Sequence, residues 1–558
     1  YLEPWHQMEK SEVEHVEGVD GRGVLESQIY RSEASWAKYV PGGYSPSRCM
    51  KLHGRPIINA ILLLAGVSIM FFGYDSSCMS QVDTNDNYLR FMGTDSGSAR
   101  DSAAVGGLVS VWFGGFGIGA ILVGSIADDI GRLKCIQLGC LWGIIGGALQ
   151  ASAQNFTWMA FGRIIGGIGC GHLNTIVPIW TSELADSGAR GAFVAVQFTL
   201  ALTGGTIVYW TEYACLKTQS LAFAWRFPLA MQLIFLLFIL FATPFYPESP
   251  RHLIRIGKLK EAREILQRVR VKVPESQIEN ELAEIVGAIR LEANQPPASL
   301  WTIMTTSDKL HTRRRILLGA GVQVMQKFTG IDFISTYAPE MFTLAGYTGD
   351  KPSLLAGGNF FCYTASLALA IYLCDRVGRR RLMLIGSSLM FLVLIAGGVL
   401  SHEVISKRTS DPSVSSRCGG AVAAVLYLYT FIYGSTWLTT CWVYPTEIFP
   451  LLSRAKGTAL ATVAFSLAGG IINEIVPYLI DAISYWVFIL FALLNLVMLI
   501  PIYLFYIETA NRHLEDLDYL FAHESPFFWH AERAFTQMKS EEGSLDKTEN
   551  RPQETFDI

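Results

Sequence analysis

One short charged passage is written twice in this chain. Asp128-Asp129-Ile130-Gly131-Arg132-Leu133-Lys134 lies between two long apolar stretches, and it returns as Asp375-Arg376-Val377-Gly378-Arg379-Arg380-Arg381 in the same setting. Two further echoes follow in the same order. Glu183 precedes Arg190 by seven positions, as Glu447 precedes Arg454; Pro247-Glu248-Ser249-Pro250-Arg251 is matched by Glu508-Thr509. One half of the chain therefore repeats the other. Two membrane-embedded halves of matching order, joined by short charged loops, are how many transporters are built.

The composition fits a bilayer. Of 558 residues, 51% are hydrophobic and 16% charged, where soluble domains carry about 25% charge. A net charge of −4 excludes nucleic acid as an electrostatic partner. Most of the ten cysteines sit in apolar stretches with no metal-type pairing and read as small core residues. Cys78, Cys215 and Cys418 fall near outer ends, where a disulfide is an open alternative. No nucleophile–base set, zinc signature or phosphate-binding loop is present. An enzyme is not expected, nor any cofactor or metal.

A bilayer-spanning helix needs about twenty apolar residues. Twelve such windows occur, near 57–77, 104–126, 134–153, 159–180, 191–212, 225–246, 316–342, 353–374, 382–400, 420–444, 456–480 and 485–506. Loops after even-numbered windows hold Arg132, Lys134, Arg190, Arg376, Arg379 and Arg454, and the opposite loops are poorer in Lys and Arg. The positive-inside rule puts both termini in the cytoplasm. The expected class is an all-α membrane protein: a cytosolic segment over 1–55, largely disordered; a six-helix bundle over 56–247; an intracellular helical insert over 248–312; a second bundle over 313–507; and a cytosolic tail over 508–558, disordered beyond a turn at Leu514–Phe521. The insert carries helical apolar spacing from His252 to Leu291 with charged opposite faces. Gly115 with Gly119, and Gly167 with Gly171, set small residues four apart, the spacing that lets helices approach closely in lipid.

Charge inside a span costs roughly 2.5–3.5 kcal/mol on insertion scales and calls for a partner or a water-filled path. Asp75, late in span one, and Arg163, early in span four, lie at similar depth and form a candidate pair; an interfacial cap by Asp75 is the alternative. Lys327 and Asp332 flank Thr329-Gly330 in span seven. On a regular helix they point about 140° apart, so they meet only if Gly330 breaks it. Arg132, Glu183, Arg190, Arg379, Glu447 and Arg454 collect at cytoplasmic ends and suggest a gate, an electrostatic latch between the halves.

These pieces together resemble the sugar-porter branch of the major facilitator superfamily, over about 55–521. The matching motifs are Phe72-Gly73-Tyr74-Asp75, the two Gly-Arg turns, Gly162-Arg163-Ile164-Ile165-Gly166-Gly167, Pro178 through Gly191, Pro247–Arg251, Gln326 through Pro339, Trp442 through Pro450 and Glu508-Thr509. Arg454-Ala455-Lys456-Gly457 and the long polar N-terminus resemble fungal members carrying sugars or polyols. The resemblance implies twelve helices in two pseudo-repeat bundles, a central sugar site and intracellular helices after span six. It implies proton coupling through Asp75 and Arg163, since passive facilitators often carry a neutral residue in place of Asp75. Burial and a nearby arginine pull a carboxylate's proton affinity in opposite senses, so small movements can load or release a proton.

For the solute, the resemblance implies contacts from Gln197, Gln326, Lys327, Asp332, Trp442, Phe465 and Ser466. Several of these depart from the family pattern. Lys327 and Asp332 replace an amide pair, Phe198 takes the span-five glutamine's place with Gln197 one position early, and Ser466 replaces a tryptophan with Phe465 beside it. A Lys–Asp pair suits an acidic or zwitterionic hydroxylated solute or a disaccharide, or closes on itself as an internal salt bridge. The expected partners are thus a sugar, disaccharide, polyol or sugar acid, a proton and the lipid bilayer. A monomer in the plasma membrane is the default. A passive facilitator and a non-transporting nutrient receptor are the competing functions; receptors typically carry a much longer tail.

Overall fold

The computed structural model describes residues 44–96, 98–185, 190–218, 222–270, 273–294, 311–449, 454–510, 512, 514–522 and 525–537. The fold is all-helical among them, with no strand. The first six windows become α1 (Arg55–Ser77), α2 (Ala99–Ile130), α3 (Arg132–Ala151), α4 (Phe156–Leu184), α5 (Arg190–Leu216) and α6 (Phe223–Ala242). The second six become α7 (Thr312–Phe328), α8 (Lys351–Val377), α9 (Arg379–Lys407), α10 (Pro412–Tyr433, continuing to Ile448), α11 (Arg454–Ile483) and α12 (Trp486–Phe505).

Among the described residues, nine helices are long and apolar enough to cross a membrane. The three that fall short are α4, α5 and α7. At 17 residues α7 is short, and all three carry polar side chains buried in protein rather than turned to lipid: Arg163, His172, Gln197, Glu212, Gln323, Gln326 and Lys327. Elsewhere the outer surface is hydrocarbon, with Phe161, Ile234, Phe241, Leu317 and Leu467 each 60% exposed or more. Apolar exposure on that scale belongs against lipid. This is a multi-pass membrane protein.

Buried apolar side chains gather in two clusters, one drawn mainly from α1–α6 and the insert, the other mainly from α7–α12 and the tail. Trp442 packs against both. Within the first half α2 lies along α4, and α3 along α4. The paired glycines make this possible. A Cβ on Gly115 or Gly119 would strike the backbone of α4, and one on Gly167 or Gly171 the backbone of α2, so each pair forms half of one close crossing. Between halves, α2 packs on α11 and α5 on α8. The two seams are equivalent under the repeat: α2 and α8 each lead into a Gly-Arg turn, and α5 and α11 each follow a Glu-to-Arg motif.

Window seven is not one helix. It breaks after Phe328, resumes as Ile331–Ser335, and breaks again before Ala338–Leu344. The α10 helix carries a π-helical turn at Gly434–Leu438, a feature that re-aims the side chains beyond it.

Among the described residues the insert folds as three helices, Pro250–Arg255, Leu259–Val269 and Glu275–Asn294, tied to the chain ahead of α1 by the Gly54 amide on the Arg268 carbonyl at 2.7 Å. The tail departs from expectation. Beyond Leu514–Ala522 a second helix runs over 528–537, with Ala531 and Phe535 buried. Aromatic anchors override the local charge: Phe527 stacks on Phe505, and the Arg380 guanidinium lies 3.7 Å over Phe528. All ten cysteines are free, which removes the disulfide alternative.

Candidate functional site

The repeated motifs converge, one cluster per half. Gly131 has φ 93° and Gly378 φ 97°, a region that strains any residue with a Cβ. Each turn ends one helix and begins the next, leaving N–H groups that need an acceptor. Glu248 supplies it for α3, accepting from the Arg132 and Leu133 amides at 3.0 and 3.2 Å; Glu508 does so for α9, accepting from Arg379 and Arg381 at 2.7 and 3.4 Å. Negative charge at a helix N-terminus is favoured by the peptide dipoles. Burial pushes the Glu248 carboxyl above the usual carboxylate range, with backbone N–H groups and the Arg132 guanidinium pulling it back.

The arginine side chains complete each cluster. Arg132 grips Glu183 through two hydrogen bonds of 2.8 Å and donates to the last turn of α2 at Ala127. Arg379 likewise binds Glu447 at 2.8 Å and the Cys374 carbonyl of α8 at 2.9 Å, and Thr509 donates to Glu447 at 2.6 Å. Among the described residues these contacts close inside one half each, because the turn and its glutamate partners belong to the same repeat. The side chains of Arg190 and Arg454 lie outside the described residues.

Deeper in the first half, Arg163 and Asp75 are both fully buried, with Nη1 and Oδ1 3.6 Å apart. The Arg163 guanidinium also reaches the Asp75 carbonyl, the Leu108 carbonyl and the Cys78 sulfur. The second Asp75 oxygen accepts from the Trp112 indole N–H at 2.6 Å. Trp112 escaped the sequence reading, yet a signal existed. It precedes Gly115 and Gly119 by three and seven positions and so shares their face of α2, the one that packs on α4.

Trp112 also lines a cavity of about 120 Å³ at the centre of the molecule. Its walls come from both halves, Phe72, Ser76, Phe113 and Phe198 on one side and Gln326, Lys327, Asp332, Tyr433, Trp442 and Phe465 on the other. Clefts that hold small molecules are typically about 300–1,000 Å³, so this one is contracted. Cross-half contacts close over it: Ser110 donates to the Gly470 carbonyl at 2.8 Å, Ser353 to Gln81 at 3.0 Å, and Lys217 pairs with Asp350.

Gly330, at φ 99°, turns the chain between Lys327 and Asp332 and brings Nζ to 3.0 Å from Oδ1. The Thr329 carbonyl freed by the break accepts from Tyr429 and Asn495 at 2.9 and 2.8 Å. Asn473 donates to the other Asp332 oxygen at 3.1 Å. Lys327 Nζ sits 4.7 and 4.3 Å from the ring centres of Phe113 and Phe465. Gln326 donates to Tyr433 at 2.8 Å, and Trp442 packs between Phe198 and Phe465.

Two expected contacts are placed elsewhere. Gln197 turns into the first half and donates to Thr181 at 2.9 Å; one residue on, about 100° around the helix, Phe198 takes the cavity wall. Ser466 bonds the Phe113 carbonyl at the α2–α11 seam, and its neighbour Phe465 lines the cavity.

Two helical halves around a central cavity that holds charge define a membrane transporter of the two-bundle class. The chain belongs to the family described as sugar (and other) transporters, which matches residues 61–521. It is 33% identical to the MFS-type transporter oryC of Aspergillus oryzae, over 82% of this chain and 84% of that one. It is 31% identical to the MFS-type transporter criB of Aspergillus cristatus, over 84% and 94%. Among solved structures it resembles the proton:xylose symporter XylE of E. coli bound to 6-bromo-6-deoxy-D-glucose, with TM-score 0.70, 24% identity, and coverage of 84% of this chain and 99% of that one. At that identity the likeness establishes the major facilitator fold.

Proposed function

We propose that this protein carries a sugar or sugar-like polyhydroxyl solute across the membrane by alternating access, in symport with a proton. All twelve helices cross, both termini lie in the cytoplasm, and a monomer in the plasma membrane is the working unit. The observation that carries the reading is the buried Asp75–Arg163 pair, joined through Trp112 to the wall of the central cavity.

A proton on Asp75 cancels its attraction for Arg163 and frees α1 from α4. Phe72, Ser76 and Trp112 belong to the cavity wall, so that release is felt where solute binds. Gln326 and the aromatic face of Trp442 suit a hydroxylated ring. The two cytoplasmic clusters act as gate elements by keeping each half rigid while the seams between halves open and close. The family match and the XylE fold support solute transport; the proton rests on Asp75.

The test is uptake into proteoliposomes across pentoses, hexoses, disaccharides, polyols and sugar acids, each with and without a pH gradient. Gradient-dependent accumulation of one class supports the reading. Uptake indifferent to the gradient and to a protonophore makes the protein a passive facilitator, and no uptake of any class refutes transport of this solute type.

A further inference from the structure

We propose that Lys327 is the binding residue for a carboxylate, and that the solute is a monocarboxylate with a hydroxylated, ring-shaped body. This rests on the transport function proposed above and names its solute class. The argument begins with charge. Two ions in a closed cavity cost several kcal/mol each in lost hydration, and apolar or neutral replacements of a buried pair are often as stable or more so. A neutral polyol would be served by uncharged hydrogen-bonding groups at 327 and 332. The charged pair calls for a charged visitor.

The geometry says which charge. Lys327 has three N–H donors. One meets Asp332 Oδ1 at 3.0 Å, and the ammonium otherwise faces the Phe113 and Phe465 rings, which attract it without accepting a conventional hydrogen bond. An incoming carboxylate can take the place of Asp332 on Nζ. Asp332 then keeps the hydrogen bond from Asn473 Nδ2 to its other oxygen at 3.1 Å, and the proton carried with the solute keeps the charge in balance. Asp332 is thus a stand-in for the solute's own carboxylate, keeping the empty cavity neutral.

The remaining wall sets the body of the solute. Phe72, Phe113, Phe198, Trp442 and Phe465 present aromatic carbon from both halves. Gln326 Oε1 is buried with no hydrogen-bond partner, its amide nitrogen being committed to Tyr433. The Ser76, Ser77, Ser335 and Thr336 side chains share the wall with these rings, so both hydroxyls and ring faces find partners. A hydroxylated ring with a carboxylate at one end fits the donors, acceptors and faces present.

The test is equilibrium binding of radiolabelled 4-hydroxybenzoate, glucuronate and glucose to the purified full chain in detergent at neutral pH. At least one carboxylate should bind tenfold or more tightly than glucose. Lys327→Gln/Asp332→Asn, which leaves no unpaired buried charge, should remove that preference. Asp332→Asn alone frees the ammonium and should tighten carboxylate binding, a gain that misfolding cannot produce. Glucose preferred over both carboxylates, or a carboxylate preference untouched by the double variant, overturns the inference and leaves sugar transport standing. Binding of none of the three also overturns it, and the uptake screen then judges transport separately.

Discussion

Asp75→Asn isolates the charge on which proton coupling depends. The substitution keeps side-chain shape and an oxygen to accept the Trp112 indole N–H at 2.6 Å. It removes the negative charge 3.6 Å from Arg163, where both side chains are 0% exposed. Removing one partner of a buried ion pair costs about 3–5 kcal/mol. The lower end applies here, since the Asp75 carbonyl, the Leu108 carbonyl and the Cys78 sulfur still receive the guanidinium. The variant should therefore fold with a lowered melting temperature. The functional effect is larger and of a different kind. With one proton carried per solute and the vesicle interior one pH unit more alkaline, the gradient supplies about 1.4 kcal/mol, or tenfold accumulation. The amide that replaces the carboxyl has no proton to carry, so the inside-to-outside ratio should fall to one while solute counterflow at equal pH persists. The assay is paired counterflow and gradient-driven uptake of the best-carried solute in proteoliposomes. Tenfold accumulation by Asp75→Asn would refute the reasoning outright.

Other substitutions test the supporting geometry. Gly330→Ala forces a Cβ into left-handed backbone, at roughly 1–2 kcal/mol, and sets it 2.7 Å from Phe333 and 3.0 Å from Phe491. Thermal unfolding should show a loss of about 2–5 kcal/mol once overpacking is included, and an unchanged melting temperature would contradict the described break in α7. Trp112→Phe keeps a ring beside Arg163 but leaves one Asp75 oxygen without its donor, costing about 1–3 kcal/mol; wild-type stability together with wild-type accumulation would deny Trp112 its linking role. Glu248→Gln and Glu508→Gln each remove the charge at one helix N-terminus, worth about 0.3–2 kcal/mol. Since the two clusters share no partner in the contacts described, the double variant should be additive within about 0.5 kcal/mol in chemical denaturation. Strong non-additivity would mean that the clusters communicate.

The architecture was legible because membrane physics is restrictive. Length and apolarity mark the windows, and the duplicated Gly-Arg turns order them into halves. Three spans, α4, α5 and α7, show the limit of that logic, since each buries polar or charged side chains inside the protein. The proximity of Lys327 and Asp332 could be argued in advance because 140° on a helix closes only through a break, and Gly330 is the residue that permits one. The cavity wall was harder to read. A shift of one residue rotates a side chain by about 100°, which is why Gln197 and Phe198 exchange places and Phe465 lines the cavity where Ser466 meets the seam. Trp112 and Asn473 were missed because each matters through a partner distant in sequence, a relation that periodicity does not encode. The tail helix over 528–537 was missed for a related reason: its average composition is polar, while a few aromatic anchors decide its position.

The placement of charge also bears on how such a molecule can move. Guanidinium–carboxylate pairs and capped turns tie α2, α3 and α4 together at the end of the bundle that carries the insert, and the same set recurs among α8, α9 and α10. The seams between halves have a different chemistry. They rest mainly on serine hydroxyls donating to backbone carbonyls, a threonine pair between α5 and α8 at 3.1 Å, and aromatic rings meeting around the cavity, with an ion pair, the solvent-exposed Lys217–Asp350. Neutral hydrogen bonds contribute about half what charge-assisted ones do, and rings can slide where bidentate pairs cannot. Stiffness is thus concentrated inside each half and compliance between them. In the proposed cycle a solute and a proton re-balance the weak seams and leave the strong clusters intact, and a one-unit pH gradient worth about 1.4 kcal/mol is on the scale of those seam contacts and too small to break the clusters.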